Sequence, residues 1–280
     1  MLTLATWNVR TLLDNLKADR PGRRTALVAR ELARYVIDIA ALSETRFADK
    51  GQLTETGGGY TFFWSGRRSE ERRETGVGFA IKSILVRKLA SIPEGINDRL
   101  MKMQLPLGNK RNATIISAYA PTMTNPDEGK DKFYKELVSP ITSAQSEKLI
   151  LLGDFNTRVG TDHQAWPRVL SKHGIRKCNS NGQLLLQVCA SHDLAITNTM
   201  FRCQPVTRHR RCTHVPSLAS YRLRYRQGKR QAGRETGQVW RRLLDRSPPH
   251  HCQNEPPHST KKKTTGAEID KETSRYSKTR

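Results

Sequence analysis

Four apolar residues, Leu149 to Leu152, run without interruption and then stop at Gly153, Asp154, Phe155 and Asn156. A short apolar run bounded by glycine reads as a buried strand, and whatever follows is delivered to its carboxyl end. Side chains two apart on an extended backbone share a face, so Asp154 and Asn156 project together. One ionisable oxygen donor and one fixed amide then sit in the mouth of a sheet, which suits positioning a water or a metal-bound phosphate. Three earlier strands are expected to end in the same way. Leu2 and Leu4 lead to Asn8, residues 37–42 lead to Glu44, and residues 113–120 lead to Tyr119 and Pro121. A lone Asn or Asp after a strand is ordinary turn chemistry. Four polar strand ends in series make an oxygen-lined pocket, the donor type that hard divalent cations such as Mg2+ prefer.

Between these strands, Val28, Leu32, Tyr35 and Val36 recur at helical spacing after Pro21 and Gly22. Gly57 to Gly59 form a turn before an aromatic strand over residues 60–64, and residues 67–74 form a charged hairpin loop. Residues 76–81 and 85–89 alternate as strands. Phe133 and Leu137 mark a short helix that Pro140 ends. Residues 182–192 read as a helix and residues 194–198 as a strand. No Gly-rich phosphate loop followed by Lys is present, which argues against a nucleotide-triphosphate enzyme. No His/Cys cluster has zinc-ligand spacing.

The ordered motifs Thr6-Trp7-Asn8-Val9-Arg10, Leu42-Ser43-Glu44-Thr45, Gly76-Val77-Gly78, Ala118-Tyr119-Ala120-Pro121 and Gly153-Asp154-Phe155-Asn156 resemble those of the endonuclease/exonuclease/phosphatase superfamily. Within it, Asn179-x-Asn181-Gly182 and Ile196-Thr197-Asn198-Thr199 resemble the apurinic-endonuclease-type domain of non-LTR retrotransposons. The resemblance covers residues 1–202. It implies a four-layered α/β sandwich, two packed mixed sheets flanked by helices. It also implies Mg2+-dependent hydrolysis of a phosphodiester, with Mn2+ as a substitute ion and DNA as partner. By motif, Asn8 and Glu44 would sit at the metal, and Tyr119 near the scissile phosphate. Asp154 would orient or deprotonate the attacking water, and Asn156 would hold a phosphate oxygen.

The chain departs from that pattern after Phe201. The family has a strand resembling Leu-Ile-Asp-Tyr-Val and a terminal Thr-Asp-His or Ser-Asp-His whose histidine contacts the phosphate. The first is absent, and no His follows an Asp beyond Phe201. Thr161-Asp162-His163 spells the second, but directly after the Asp154 strand, where it reads as a loop coincidence. With permitted codons, residues 218–226 and 242–249 read one nucleotide later yield the two missing motifs in order. Residues 203–210 resemble the family's continuation in a second offset. Residues 203–280 are therefore expected to be a frameshifted, disordered basic tail, and the domain is expected to be incomplete at its C-terminal side, with an unpaired sheet edge.

Composition fits that division. Only 36% of the chain is hydrophobic, and the net charge is +23 with a pI near 10.3, which predicts salt-dependent attraction to polyanions. Residues 203–280 hold 19 Lys and Arg against 6 Asp and Glu, and they lack the apolar periodicity needed to offset the entropy of ordering. Five cysteines without scaffold spacing suit a reducing compartment. Residues 1–6 lack the features of a signal peptide and no apolar run reaches membrane-spanning length, so a nuclear or cytoplasmic, non-membrane protein is expected. The expected function is a DNA endonuclease domain of retrotransposon origin with impaired turnover. A phosphatase of the same fold and a non-catalytic nucleic-acid-binding remnant are the alternatives.

Overall fold

Two parallel strand pairs, one in each of two sheets, organise the molecule. The computed structural model describes residues 2–14, 23–108, 111–144, 148–201 and 220–222, all within one compact unit, Met1–Ser247. The first sheet contains β1 (Leu4–Asn8), β2 (Ile39–Ser43), β3 (Lys50–Glu55), β4 (Tyr60–Ser65) and β5 (Val77–Lys82), in the order β1-β2-β5-β4-β3. β1 and β2 run parallel, and the other neighbours run antiparallel. The second contains β6 (Glu94–Gly95), β7 (Leu100–Gly108), β8 (Arg111–Tyr119), β9 (Lys148–Asp154), β10 (Leu194–Ile196) and β11 (Ser220–Arg222), in the order β10-β11-β9-β8-β7-β6. Its parallel pair is β8 and β9.

Strand alternation builds three cores and hence four layers. Ile39 and Ala41 of β2 join Val77, Phe79 and Ile81 of β5 against Met101, Met103, Ile115, Ile150 and Leu152 of the other sheet. The intervening residues Ala40, Leu42 and Ala80 face outward onto Val28, Ala29 and Leu32 of helix α1 (Arg24–Arg34). Ile116, Ala118, Leu149 and Leu151 face the opposite way. They pack with residues from helices α3 (Asp127–Ser143) and α4 (Ser180–Ser191), among them Phe133, Leu137, Ile141, Leu185 and Cys189. The order is helix, sheet, sheet, helices, the expected four-layered sandwich of two mixed sheets flanked by helices.

Three local expectations are corrected. Residues 85–89 are not a strand: α2 (Ser83–Val86) is a single helical turn, and Leu85, Val86 and Leu89 lie partly buried against the inter-sheet core. Their alternation is that of a turn folding back, not of a pleat. Pro140 does not end its helix, which runs through it to Ser143. A mid-helix proline costs ~3 kcal/mol, and the buried stripe of Phe133, Tyr134, Leu137 and Ile141 on the same helix offsets that cost. Finally, the edge of β9 is not bare over its whole length. Ser220 and Tyr221 pair with Leu151 and Ile150, and β11 bridges β9 to β10. An exposed strand edge offers unpaired N–H and C=O groups that an extended segment satisfies. The rest of residues 203–280, including Cys203, Cys212, Cys252 and most of the segments read in other frames, lies outside the described residues.

Candidate active site

The register of the two parallel pairs sets the site. Asn8 pairs with Ser43 at the carboxyl ends of β1 and β2, and Tyr119 pairs with Asp154 at those of β8 and β9. All five residues expected from the sequence therefore lie at, or one or two residues beyond, these four strand ends.

One side chain joins the two sheets here. The Asn8 amide nitrogen donates to Glu44 Oε1 at 2.6 Å and to Asp154 Oδ2 at 3.1 Å. The Asn8 amide oxygen accepts from the Arg10 backbone N–H at 3.0 Å. Two carboxylates thus share one donor, which tempers the repulsion of like charges brought together. Arg46 adds a cation, its Nη2 3.8 Å from Glu44 Oε2.

Glu44 sits at φ +58°, a region that costs a non-glycine residue ~1–3 kcal/mol unless its surroundings hold it. The backbone on both sides is fixed, before it by the Val9 N–H donating to the Ser43 carbonyl at 3.0 Å. The Thr45 N–H donates to the Gly76 carbonyl at 3.1 Å, the Arg46 N–H to that of Thr75 at 2.9 Å, and the Leu12 N–H to that of Thr45 at 2.9 Å. The Gly76-Val77-Gly78 motif thus supports the turn that presents Glu44.

Asp154 is buried, with 6% of its surface exposed. Its Oδ1 accepts from the Asn156 backbone N–H at 3.0 Å, and its carbonyl accepts from the Ala120 N–H at 2.9 Å. The Asn156 amide nitrogen donates to the Ala120 carbonyl at 2.9 Å, which leaves its second hydrogen for another acceptor. Gly153 has φ +149°, and a Cβ there would lie 1.8 Å from the Ala118 carbonyl oxygen. Only glycine lets β9 approach β8 this closely just before the aspartate.

The pKa of the Tyr119 phenol is pushed up to about 12. Burial is the main cause, followed by Glu44, with Asp154 adding to it and Arg99 opposing. The hydroxyl is therefore a neutral donor at physiological pH. Beneath it, the Arg99 guanidinium carbon lies 5.1 Å from the ring centroid, and its Nη1 donates to the Tyr119 carbonyl at 3.2 Å. Burial lowers the Arg99 pKa.

Sequence reasoning missed Arg99 and Arg46. Both are charged residues in or next to loops, and their contacts leave no periodic signal. His163 stays within its own loop: Nδ1 is 3.4 Å from the Thr161 carbonyl oxygen, while Asp162 Oδ1 accepts from the Ala165 N–H at 3.0 Å.

Among the described residues, no three His, Cys, Asp or Glu side chains cluster as a metal cage. What converges is two carboxylates, an amide and a phenol. That set fits a hard divalent cation, which takes one or two protein carboxylates and fills its remaining positions with water and substrate phosphate.

A model of the Endonuclease/Exonuclease/phosphatase family matches residues 5–209. The chain belongs to this family. Members of the family hydrolyse phosphodiester bonds and typically use divalent metals. Craniofacial development protein 2 of Bos taurus is 29% identical over 206 residues, 73% of this chain and 32% of that protein, so the chain spans about a third of the relative's length. Among solved structures, the 3' phosphatase NExo from Neisseria, bound to a product DNA hairpin, is 17% identical with a TM-score of 0.49, covering 79% of this chain and 86% of that one. The AP endonuclease LMAP from Leishmania major is 14% identical with a TM-score of 0.48, covering 79% and 78%. No helix among the described residues is long and apolar enough to cross a membrane.

Proposed function

We propose that this member of the family is a Mg2+-dependent phosphodiester hydrolase acting on DNA, with turnover impaired in the chain as it stands. The observation that carries the reading is the Asn8 amide bonded at once to Glu44 and Asp154, because it seats oxygen donors from both sheets at one point. Glu44 and Asn8 would hold the ion, Asn8 after its amide turns to present its oxygen, and Mn2+ would substitute. When bound, the ion supplies polarisation of the phosphoryl oxygen and neutralises developing charge.

The side chains supply the rest. Asp154, fixed by the Asn156 N–H, accepts the proton of the attacking water. The free hydrogen of the Asn156 amide meets a phosphate oxygen. Tyr119, protonated through the physiological range, donates near the scissile phosphate. The net charge of +23 supports a polyanionic substrate. So does the segment after Asp154, where Arg158, Lys172, Arg176 and Lys177 are exposed and Arg168 lies 3.9 Å from Asp193.

Impairment follows from the missing Asp-His pair beyond Phe201. We read residues 203–280 as a frameshifted continuation of a retrotransposon-derived domain, a reading that sequencing the locus and its transcript checks directly. The functional test is nicking of supercoiled plasmid in Mg2+ by this chain and by a frame-restored chain. The frame-restored chain is expected to nick at least ~100-fold faster, the usual loss when an acid–base group is removed, and Asp154→Ala is expected to abolish its nicking. Nicking of equal rate by both chains contradicts the impairment. A frame-restored chain that releases inorganic phosphate from a phosphorylated lipid head group but leaves DNA intact contradicts the nuclease reading in favour of a phosphatase.

A further inference from the structure

Helix α4 begins at the site, and the residues Asn179, Asn181 and Gly182 at its start are used to dock it there. The Asn179 carboxamide oxygen caps the helix, accepting from the Gly182 N–H at 2.8 Å, and also accepts from the Arg158 N–H at 3.0 Å. Gly182 carries no Cβ where one would lie 1.9 Å from the Arg158 carbonyl oxygen. These two contacts are the ordinary capping and close packing of a helix start.

Asn181 differs. It is wholly buried, and its amide nitrogen donates to the Pro121 carbonyl at 2.8 Å and the Asn156 carbonyl at 3.3 Å. Pro121 lies two residues beyond Tyr119, and Asn156 two beyond Asp154. The Asn181 backbone carbonyl in turn accepts from the Tyr134 hydroxyl of α3 at 3.1 Å. Its amide oxygen is buried with no hydrogen-bond partner among the described residues. Leaving a buried acceptor unmet is destabilising, so this amide is a poor choice for stability alone. Its nitrogen performs a task that an apolar residue cannot: one NH2 group clamps together the two loops that follow the strand ends bearing Tyr119 and Asp154.

We infer that Asn181 is a positioning residue, which fixes the loops after β8 and β9 to each other and thereby sets Tyr119 against Asp154 and Asn156. The inference rests on the functional reading above. Small displacements of such groups are costly because reacting atoms must be held in near-attack geometry.

Hydrogen exchange followed by mass spectrometry on the full chain tests the clamp, comparing Asn181→Ala and the near-isosteric Asn181→Asp with wild type. Gln183→Ala, exposed on the same helix, serves as the control. Exchange is expected to accelerate at least ~10-fold in the peptides spanning residues 119–123 and 154–158 and to stay unchanged in β4 and β5. A merely structural role gives uniform acceleration across both sheets, and that outcome, or no change anywhere, overturns the inference. In parallel, the rise in Tm on adding excess MgCl2 is expected to fall by half or more in both Asn181 variants and to persist in Gln183→Ala. Locally loosened loops with an undiminished Mg2+ response overturn the positioning role. A wild-type chain that shows no Mg2+ response defeats the metal-site reading instead, and the exchange pattern still decides whether Asn181 clamps the loops.

Discussion

Asn8 holds together two carboxylates that would otherwise repel, and its removal should show that. In Asn8→Ala, Glu44 and Asp154 are deprived of a shared donor, which costs ~1.5–3 kcal/mol for hydrogen bonds to charged groups. Urea unfolding in EDTA is expected to reveal destabilisation of that size, and added Mn2+ should recover part of it. Tyr119 gives a pH signature. Burial and the two neighbouring carboxylates raise its pKa from 10 to about 12, so the folded state holds the proton more tightly than the unfolded state. The contribution is complete below pH 10 and is lost as the pH climbs through 12. Tyr119→Phe is expected to flatten the fall of the urea midpoint between those values relative to wild type. Residual slope will persist, because Tyr60 is also pushed up to about 12 by burial and Asp38.

At the scale of elements, the polar strand ends were legible because each follows an apolar run that must be a strand. Asn8, Glu44, Tyr119 and Asp154 all sit at or beside those ends. Which strands lie beside which was not legible: nothing in the chain states that β1 and β2 form one parallel pair and β8 and β9 another. β7 was not singled out although Met101, Met103 and Leu105 alternate with polar residues. Methionine is a weak strand signal, and Pro106 argues against a strand interior. The structure places the proline where the register shifts, between Pro106 and Gly108. The close approach of β9 to β8 makes a sharp claim about Gly153. Gly153→Ala brings a Cβ onto the Ala118 carbonyl at positive φ, and is expected to destabilise by at least ~2 kcal/mol through combined backbone strain and overpacking, measured by urea midpoint at constant slope.

At the scale of the molecule, two sheets face each other so that the carboxyl ends of their parallel pairs open at one place, and a basic segment follows directly from that place. Binding of a DNA duplex should weaken linearly in log affinity against log salt, with a slope set by the phosphates neutralised. Lys172, Arg176 and Lys177 are exposed on that segment. Changing all three to Gln is expected to reduce the slope by up to roughly 3, about one for each phosphate left without its cation, without altering the dependence on DNA sequence. An unchanged slope removes this segment from the interface. The most direct test of the site itself is a Mn2+ titration of the full chain followed by electron paramagnetic resonance. One Mn2+ is expected to bind the wild-type protein, with affinity reduced at least ~10-fold in Glu44→Gln, about 1.4 kcal/mol. No saturable Mn2+ binding, or binding indifferent to Glu44→Gln, contradicts the claim that the joined strand ends form a metal-holding hydrolytic centre.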